Sequence, residues 1–536
     1  MSVRENLLKI ALIDLDTPRE EFDEPLGIEM LAGSLRDKYR TSNIVVQLFA
    51  PKLYKKKTIE PSFLSGFRVI GISTKLNSYE KTEKLLDALI GSHERPLVML
   101  GNIYGTYAYR ELLSRYPSIL CVRGEGEDVI CHLVRTLLVK RHAKNEQIIA
   151  ELLREDVPNI ACAKNGSVIE TQRKVINLNN SSLPRREFLY KIIDIGGVVL
   201  AEASRGCPWS KCKFCAIAGK YGNPDWRGFP VDWVIRDLQQ LSVAGVRCPY
   251  YTDEDFFGSD PQRVVAIAES IITAKKDGTI RKDLNFYFNA RVSTILGYGI
   301  GGIEQSINIL EKLKRAGLRE IFLGIESGSK EQIQRYRKSS TAQANIEAIR
   351  LLRKLGIQLD IGFIMFDPEM SFEELKHNTH FLCEAGLTNH DARMNKKLRI
   401  EPFTYLESEM REKGIIGEQL DVDNVIFPYE MQDERTRIVY KQFRAWEKYA
   451  EPLVYKLQAR SRGECDSEQD RLMDKRYLGL FRELDLDYLR FCIRSVEGGT
   501  KGLEKRIAEG KNEFEQRRLN LIANAPITLS RSRFDL

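Results

Sequence analysis

The stretch VVLAEASRGCPWSKCKFC, residues 198–215, decides the fold. Its first part, VVLAEAS (198–204), is an apolar run of strand length. Its second part carries three cysteines, Cys207, Cys212 and Cys215, within nine residues. A strand that runs straight into a ligand-bearing loop is how a parallel α/β barrel builds its active site, at the carboxyl ends of its strands. Working outward, CPYYTD (248–253), LNFYFNA (284–290), EIFLGIE (320–326), DIGFIMF (360–366) and LRIEPF (398–403) read as further strands, with helical segments between them. In 230–243, for example, Val234, Ile235, Leu238 and Leu241 form one apolar stripe. Six such units predict a partial (β/α)6 barrel of the TIM type over residues 196–405.

Upstream, residues 1–150 alternate in the same way. LLKIALIDL (7–15), NIVVQLF (43–49), FRVIGIST (67–74), PLVMLGN (96–102) and SILCVRG (118–124) are strand candidates with helices between them. This pattern predicts a Rossmann-like, doubly wound parallel sheet covered on both faces. Ligands of such sheets bind beyond the carboxyl ends of the strands. Those ends carry Ser73, Thr74, Gly101, Asn102 and the run Arg123-Gly124-Glu125-Gly126-Glu127. Residues 151–195 lose the rhythm and read as a short hairpin and a Pro-containing linker. Residues 406–536 are charged and mainly helical in pattern. The whole is an α/β chain of 536 residues, more than one hydrophobic core serves.

Composition adds bounds. The net charge of +7 is modest, the basic residues are spread, with a mild excess at Arg517, Arg518, Arg531 and Arg533, and a solvated surface explains them without nucleic acid. No apolar run approaches the ~20 residues of a membrane helix. Asp14 and Asp16 close the first apolar run, which reads as a strand and not a signal peptide, so a cytoplasmic location is expected. Seven cysteines (Cys121, Cys131, Cys162, Cys248, Cys383, Cys465 and Cys492) are scattered, as buried thiols are.

The crowded three ask for metal. Thiolates suit zinc or iron–sulfur clusters, and a structural zinc site closes with four ligands. No fourth Cys or His lies near; the closest by sequence are Cys162 and Cys248. Three thiolates on a four-iron cluster leave one iron open for a substrate. A reading from another class is a non-catalytic zinc- or cluster-binding protein, with a metal site and no turnover.

Ser-Arg-Gly-Cys-Pro-Trp-Ser-Lys-Cys-Lys-Phe-Cys (204–215) resembles the signature of radical S-adenosylmethionine (SAM) enzymes. The resemblance implies a [4Fe-4S] cluster on Cys207, Cys212 and Cys215. Its open iron would chelate SAM and cleave it reductively to a 5′-deoxyadenosyl radical. Phe214 matches the family's aromatic before the last cysteine. The spacing C-x4-C-x2-C is one residue longer than the usual C-x3-C-x2-C. By the same resemblance Asp253 and Glu254 would lie near the SAM amino group, Arg291 after the third strand, Glu326 and Ser327 at the ribose and carboxylate, and Gly362 at the adenine. Taken singly, such a carboxylate is more often a helix cap and such a glycine a turn; their order over about 200 residues carries the likeness.

Residues 1–150 are similar to the cobalamin-binding domain that precedes one branch of this family. The pieces are Pro25-Leu26-Gly27, Gly71-Ile72-Ser73, Leu100-Gly101 and Arg123–Glu127. Ser73, Thr74, Gly101, Asn102 and Glu125 are the expected cobalamin contacts. The D-x-H-x-x-G motif is absent, and no histidine occurs in residues 1–92, so cobalamin would be held without one. The implied reaction is cobalamin-dependent methylation of a small-molecule or peptide substrate, with flavodoxin or ferredoxin as electron donor. The alternative is a cobalamin-free radical SAM enzyme (oxidation, rearrangement or cyclisation) with a vestigial first domain. The substrate is expected between the barrel mouth and the C-terminal region, whose aromatics Phe427, Tyr429, Tyr440, Phe443, Trp446 and Tyr449 are expected mainly as core.

Overall fold

The computed structural model describes residues 7–15, 22–54, 59–222, 225–387, 391–392, 396–462, 468–499 and 502–526; Asp16, Cys465, Arg531 and Arg533 lie outside them. The first domain is a seven-stranded sheet of β1 (Leu8–Leu15), β2 (Ile44–Phe49), β3 (Val69–Thr74), β4 (Leu97–Gly101), β5 (Leu120–Val122), β6 (Ile160–Lys164) and β7 (Ser167–Glu170). Its order is β2-β1-β3-β4-β5-β6-β7. The pairs from β2 to β5 are parallel. In β1 every residue but Lys9 is buried, as a parallel strand covered on both faces requires.

The domain boundary expected at residue 150 moves to the end of β7. The hairpin β6–β7 joins this sheet antiparallel to β5. Its turn is Asn165-Gly166, both with positive φ (51° and 77°), the two-residue turn that matches strand twist. The hairpin covers an edge that the three residues of β5 would leave open.

The second sheet is built from β8 (Leu200–Ala201), β11 (Tyr250–Tyr251), β12 (Phe286–Arg291), β13 (Leu318–Glu326), β14 (Gln358–Phe366) and β15 (Asp391–Ala392), parallel and in that order. Between β8 and β11, β9 (Ser204–Arg205) pairs with β10 (Arg227–Gly228) as a short antiparallel ribbon. The sixth strand differs from expectation. Residues 398–403 form no strand, and the edge of β14 is taken by β15 and β16 (Lys396–Lys397). Pro402 has no N–H to give a ladder, Phe403 has φ +63°, and the Ile400 carbonyl accepts from Phe427 N–H instead. Leu398 and Ile400 then pack with Leu406, Met410, Phe427 and Tyr429 in a small cluster that includes Phe214 and Tyr336.

Three helices follow, Glu434–Arg462, Glu468–Glu497 and Leu503–Ala523. Phe443 and Trp446 are buried, and Trp446 stacks on Tyr488 at 4.3 Å, so these aromatics are core. Lys475 binds Glu320 and Gln358, near the starts of β13 and β14. The second helix therefore docks at the amino ends of the strands. Of the C-terminal region, it is the segment before residue 431 that packs beside the cysteine loop.

The two domains are pinned at several points. Arg186, buried in the linker, binds Glu24 (2.7 Å), Asp237 (2.6 Å) and the Leu200 carbonyl (2.9 Å). It thereby ties the first domain, the first barrel helix and the first barrel strand. A strap from beyond the barrel crosses back: Val425 is buried in the core of the first sheet, and Asn424 accepts from Asn77 at 2.7 Å.

Candidate functional site

The cysteine loop leaves β9 at the carboxyl end of the first barrel strand. Asp253, after β11, receives Ala203 N–H at 3.0 Å and the Ser204 hydroxyl, and so fixes the root of the loop. Burial pushes its carboxyl up to about 7. Glu254 receives Gly206 N–H (3.0 Å), Lys220 Nζ (2.7 Å) and Tyr221 Oη (3.0 Å). Asp255 is buried and pairs with Arg291 at 2.6 Å, which brings the Arg291 charge beside Cys207 and Cys212. Within the C-x4-C spacing Ser210 is left-handed, at φ +42°. Trp209 Nε1 donates to the Arg337 carbonyl (2.9 Å), Lys213 N–H donates to the Tyr336 carbonyl (3.0 Å), and Phe214 meets the Tyr336 ring at 5.1 Å. Tyr336 is itself held by Asp367 at 2.8 Å.

Burial pushes all three thiols above the ordinary cysteine value, Cys215 to about 12. They are neutral as free thiols, and a metal would displace their protons. Lys338, which the sequence reading missed, lies 3.6 Å from Glu326 and within electrostatic reach of the three cysteines. Burial favours its neutral amine, but the Glu326 carboxylate first, and the cysteines where they are thiolates, outweigh this and raise its pKa. Two cations, Lys338 and Arg291, thus flank a soft donor set, which fits an anionic iron–sulfur cluster. Among the described residues no three Cys, His, Asp or Glu groups converge for one metal ion.

Glu326 ends β13 with φ +68°. A Cβ on Gly324 would come within 3.1 Å of its Oε1, and one on Gly362 within 3.2 Å of its Oε2. Both glycines clear space for this carboxylate, so Gly362 is brought to Glu326, and Gly324 to Glu326 and Lys338. Ser327 is not free in the same way: it is buried, donates to Asn378 (3.0 Å) and receives Ser329 N–H (2.9 Å).

A cavity of about 400 Å³ lies between the carboxyl edge of the first sheet and the barrel. Ser73, Gly101, Asn102 and Glu125 line it from one side, Glu202, Arg205, Lys220 and Thr252 from the other. A Cβ on Gly27 would meet nothing within 4 Å, and one on Gly101 only Val122 at 4.0 Å, so side-chain-free backbone faces open space there. Asn102, at φ +62°, donates to Ser73 Oγ at 3.2 Å. Thr74 is spent internally: its hydroxyl donates to the Gly101 carbonyl (2.9 Å) and receives Tyr104 N–H (3.1 Å). Glu125 pairs with Arg205 (2.8 Å) and Arg227 (3.1 Å). Burial alone would raise its pKa, but these two guanidinium groups outweigh it and lower it. No histidine is among the lining residues. Small residues, space and amide or hydroxyl groups fit a flat amide-fringed macrocycle.

Known proteins bear on both halves. Residues 202–382 match the radical SAM superfamily, and residues 19–134 match the B12 binding domain. The 4′-phospho-dehydrooxetanocin synthase of Priestia megaterium is 30% identical over 362 residues, 63% of this chain and 45% of that protein. The hopanoid C-3 methylase of Methylococcus capsulatus is 25% identical over 366 residues, 66% of this chain and 63% of that protein. The chain thus spans about half the length of the first relative and somewhat more of the second. In fold it is similar to the cobalamin-dependent S-adenosylmethionine radical enzyme OxsB, solved with aqua-cobalamin and S-adenosylmethionine bound. The TM-score is 0.80 at 19% identity, over 98% of this chain and 82% of that one. The three thiols, the bridging cavity and these matches lead to one conclusion: the chain joins a B12-binding domain to a radical SAM domain, in a fold like that of OxsB.

Proposed function

We propose that the protein is a cobalamin-dependent methyltransferase that acts on an unactivated carbon of a small substrate, with SAM cleaved reductively at a [4Fe-4S] cluster. The observation that carries this reading is the cavity lined by both domains. Lys220 lines it and also binds Glu254, whose carboxylate holds the root of the cysteine loop. A molecule seated there would lie beside the cluster site. When bound, the cluster and SAM supply a 5′-deoxyadenosyl radical and cobalamin supplies a methyl group.

The chain's own residues divide the rest. Cys207, Cys212 and Cys215 hold the cluster, with Phe214 packed behind them. Lys338 and Arg291 stabilise its negative charge. Glu326, in the space that Gly324 and Gly362 leave, receives polar groups of SAM. Asp253 and Glu254 hold the loop, and Ser327 shapes the turn after β13. Ser73, Gly101 and Asn102 bound the corrin, with Thr74 and Glu125 fixing the backbone behind them. A flavodoxin- or ferredoxin-type protein would supply the electron. Among the described residues no helix is long and apolar enough to cross a membrane.

A second reading keeps both cofactors without methyl transfer; the first relative is named a synthase, not a methylase. The test is anaerobic reconstitution with iron, sulfide and cobalamin, then incubation with SAM carrying a deuterated methyl group and candidate substrates. Deuterated methyl in the product supports methylation. Formation of 5′-deoxyadenosine with a changed substrate but no label supports the second reading. Stoichiometric iron and SAM cleavage with no cobalamin retained sinks both.

A further inference from the structure

Tyr107 lines the cavity, yet its polar end points at the other cofactor site. It closes the helix Asn102–Tyr107 that begins at the carboxyl end of β4. Its hydroxyl donates to the carbonyl of Ala216, at 3.0 Å, the residue after Cys215. Its ring lies on the helix Ile217–Tyr221, so that a Cβ on Gly219 would come within 2.9 Å of its Cε1 and 3.2 Å of Phe403 Cβ. Phe403 stacks on the ring at 6.2 Å, and Tyr107 itself is only 8% exposed. The ring is therefore seated on three sides, with its hydroxyl committed to the cysteine loop.

The other end of the loop is held from the same domain. Arg205, two residues before Cys207, also lines the cavity and reaches Glu125 (2.8 Å) and Glu127 (2.9 Å), beyond β5. The loop is gripped at both ends by side chains of the sheet edge that bounds the cavity. Arg205 shares its charge among three carboxylates, since Glu202 binds it too at 2.9 Å, so loss of one of those partners leaves others. The Tyr107 bond is a single contact, and it acts next to a cysteine.

We propose that Tyr107 is a positioning residue that sets where Cys215, and the cluster on it, sits relative to the corrin in the cavity. This rests on the functional reading above. Radical chemistry between two cofactors and a substrate depends on their separation, and a misplacement on the order of 1 Å can cost about a hundredfold in rate.

The test uses the holoenzyme with both cofactors loaded and poised as one-electron paramagnets, the reduced cluster and cob(II)alamin. Pulsed EPR then reads the distribution of distances between the two spins. Wild type should give one narrow distribution. Tyr107→Phe should keep iron and cobalamin at full stoichiometry and give a shifted or broadened one. Gly219→Ala, which pushes the ring from below without touching the hydroxyl, should do the same. A lower melting temperature with an unchanged distribution in Tyr107→Phe overturns the proposal, because the bond would then be structural only. If Tyr107→Phe fails to take up the cluster, Gly219→Ala decides: a wild-type distribution there overturns it, and a shifted one upholds it. Wild type that retains no cobalamin or no cluster defeats the functional reading instead.

Discussion

The cysteine loop and the carboxyl edge of the first sheet border the same region, yet they are built in opposite ways. The loop is tied down nearly residue by residue: Gly206 to Glu254, Trp209 to Arg337, Lys213 to Tyr336, and Ala216 to Tyr107. The sheet edge offers mainly room. Gly27 and Gly101 face open space, and the polar groups closest to the strands, Thr74 and Glu125, are spent on the protein's own backbone and ion pairs. A covalently ligated cluster needs its ligands fixed in advance, whereas a large macrocycle needs a shaped hollow and a few amide or hydroxyl contacts.

The largest effect tests the ligand side. Cys207→Ala, Cys212→Ala or Cys215→Ala each removes one of three thiolates, so iron, acid-labile sulfide and the brown absorption of reconstituted protein should fall to background. Cys248→Ala and Cys383→Ala should leave them intact. Survival of the cluster after loss of any of the three would end the assignment.

Glu326→Gln keeps the side chain's shape and removes its charge. A charge-assisted hydrogen bond is worth about 1.5–3 kcal/mol, so SAM affinity, read by calorimetry on the cluster-loaded protein, should fall by roughly ten- to a hundredfold with iron unchanged. The hollow is tested from the other side by Gly101→Val. Gly101 has an extended backbone (φ −126°), so the substitution costs no left-handed strain. The added methyls occupy the cavity, and cobalamin affinity should fall by about tenfold, or ~1.4 kcal/mol, while the cluster remains. Loss of the cluster in Gly101→Val would mean that the two edges are not separable in this way.

The smallest effect concerns the joint between the two edges. Glu24, Glu29 and Asp237 are buried around one guanidinium, Arg186. Burial first, and then the Glu24 carboxylate, push the Glu29 pKa well above its ordinary 4.5. The folded protein therefore holds this proton more tightly than the unfolded chain. Its contribution to stability is complete below pH 4.5 and erodes as pH rises from there toward the raised value. Glu29→Gln mimics the protonated form and should abolish that erosion. Melting curves across pH should show the variant gaining on wild type toward alkaline pH, by about 1 kcal/mol. A constant difference across pH would show that folding leaves the Glu29 pKa unshifted.

Much of this was legible before any coordinates. Apolar runs separated by amphipathic stripes carried both parallel sheets, because buried parallel strands are nearly continuous in hydrophobicity. The three cysteines were legible from crowding alone. What escaped had no local signal. The hairpin at 160–170 was visible as a hairpin, but its attachment to β5 depends on which edge lies open in three dimensions. LRIEPF has the composition of a strand, and its fate was decided by Pro402 and by a distant partner, Phe427. Lys338 and Tyr107 lie in no motif, and they matter through what the fold sets beside them. The carboxylates near the barrel mouth were visible by position, but sequence could not separate Glu326, which meets Lys338, from Asp253, which braces the loop.

The strap at Val425 also has a consequence for how the chain is made. Its side chain completes the core on one face of the first sheet, together with Leu86, Tyr104 and Leu112. The last strand of that sheet ends at Glu170, so the plug emerges roughly 250 residues after the strands it covers. At about 5–20 residues per second of synthesis, that is on the order of 10–50 s in which the nascent sheet presents an uncapped apolar notch. The first domain is thus finished by the ribosome long before it is finished as a folded body, and its window for chaperone capture is set by the position of the strap that carries Leu420, Val422 and Val425.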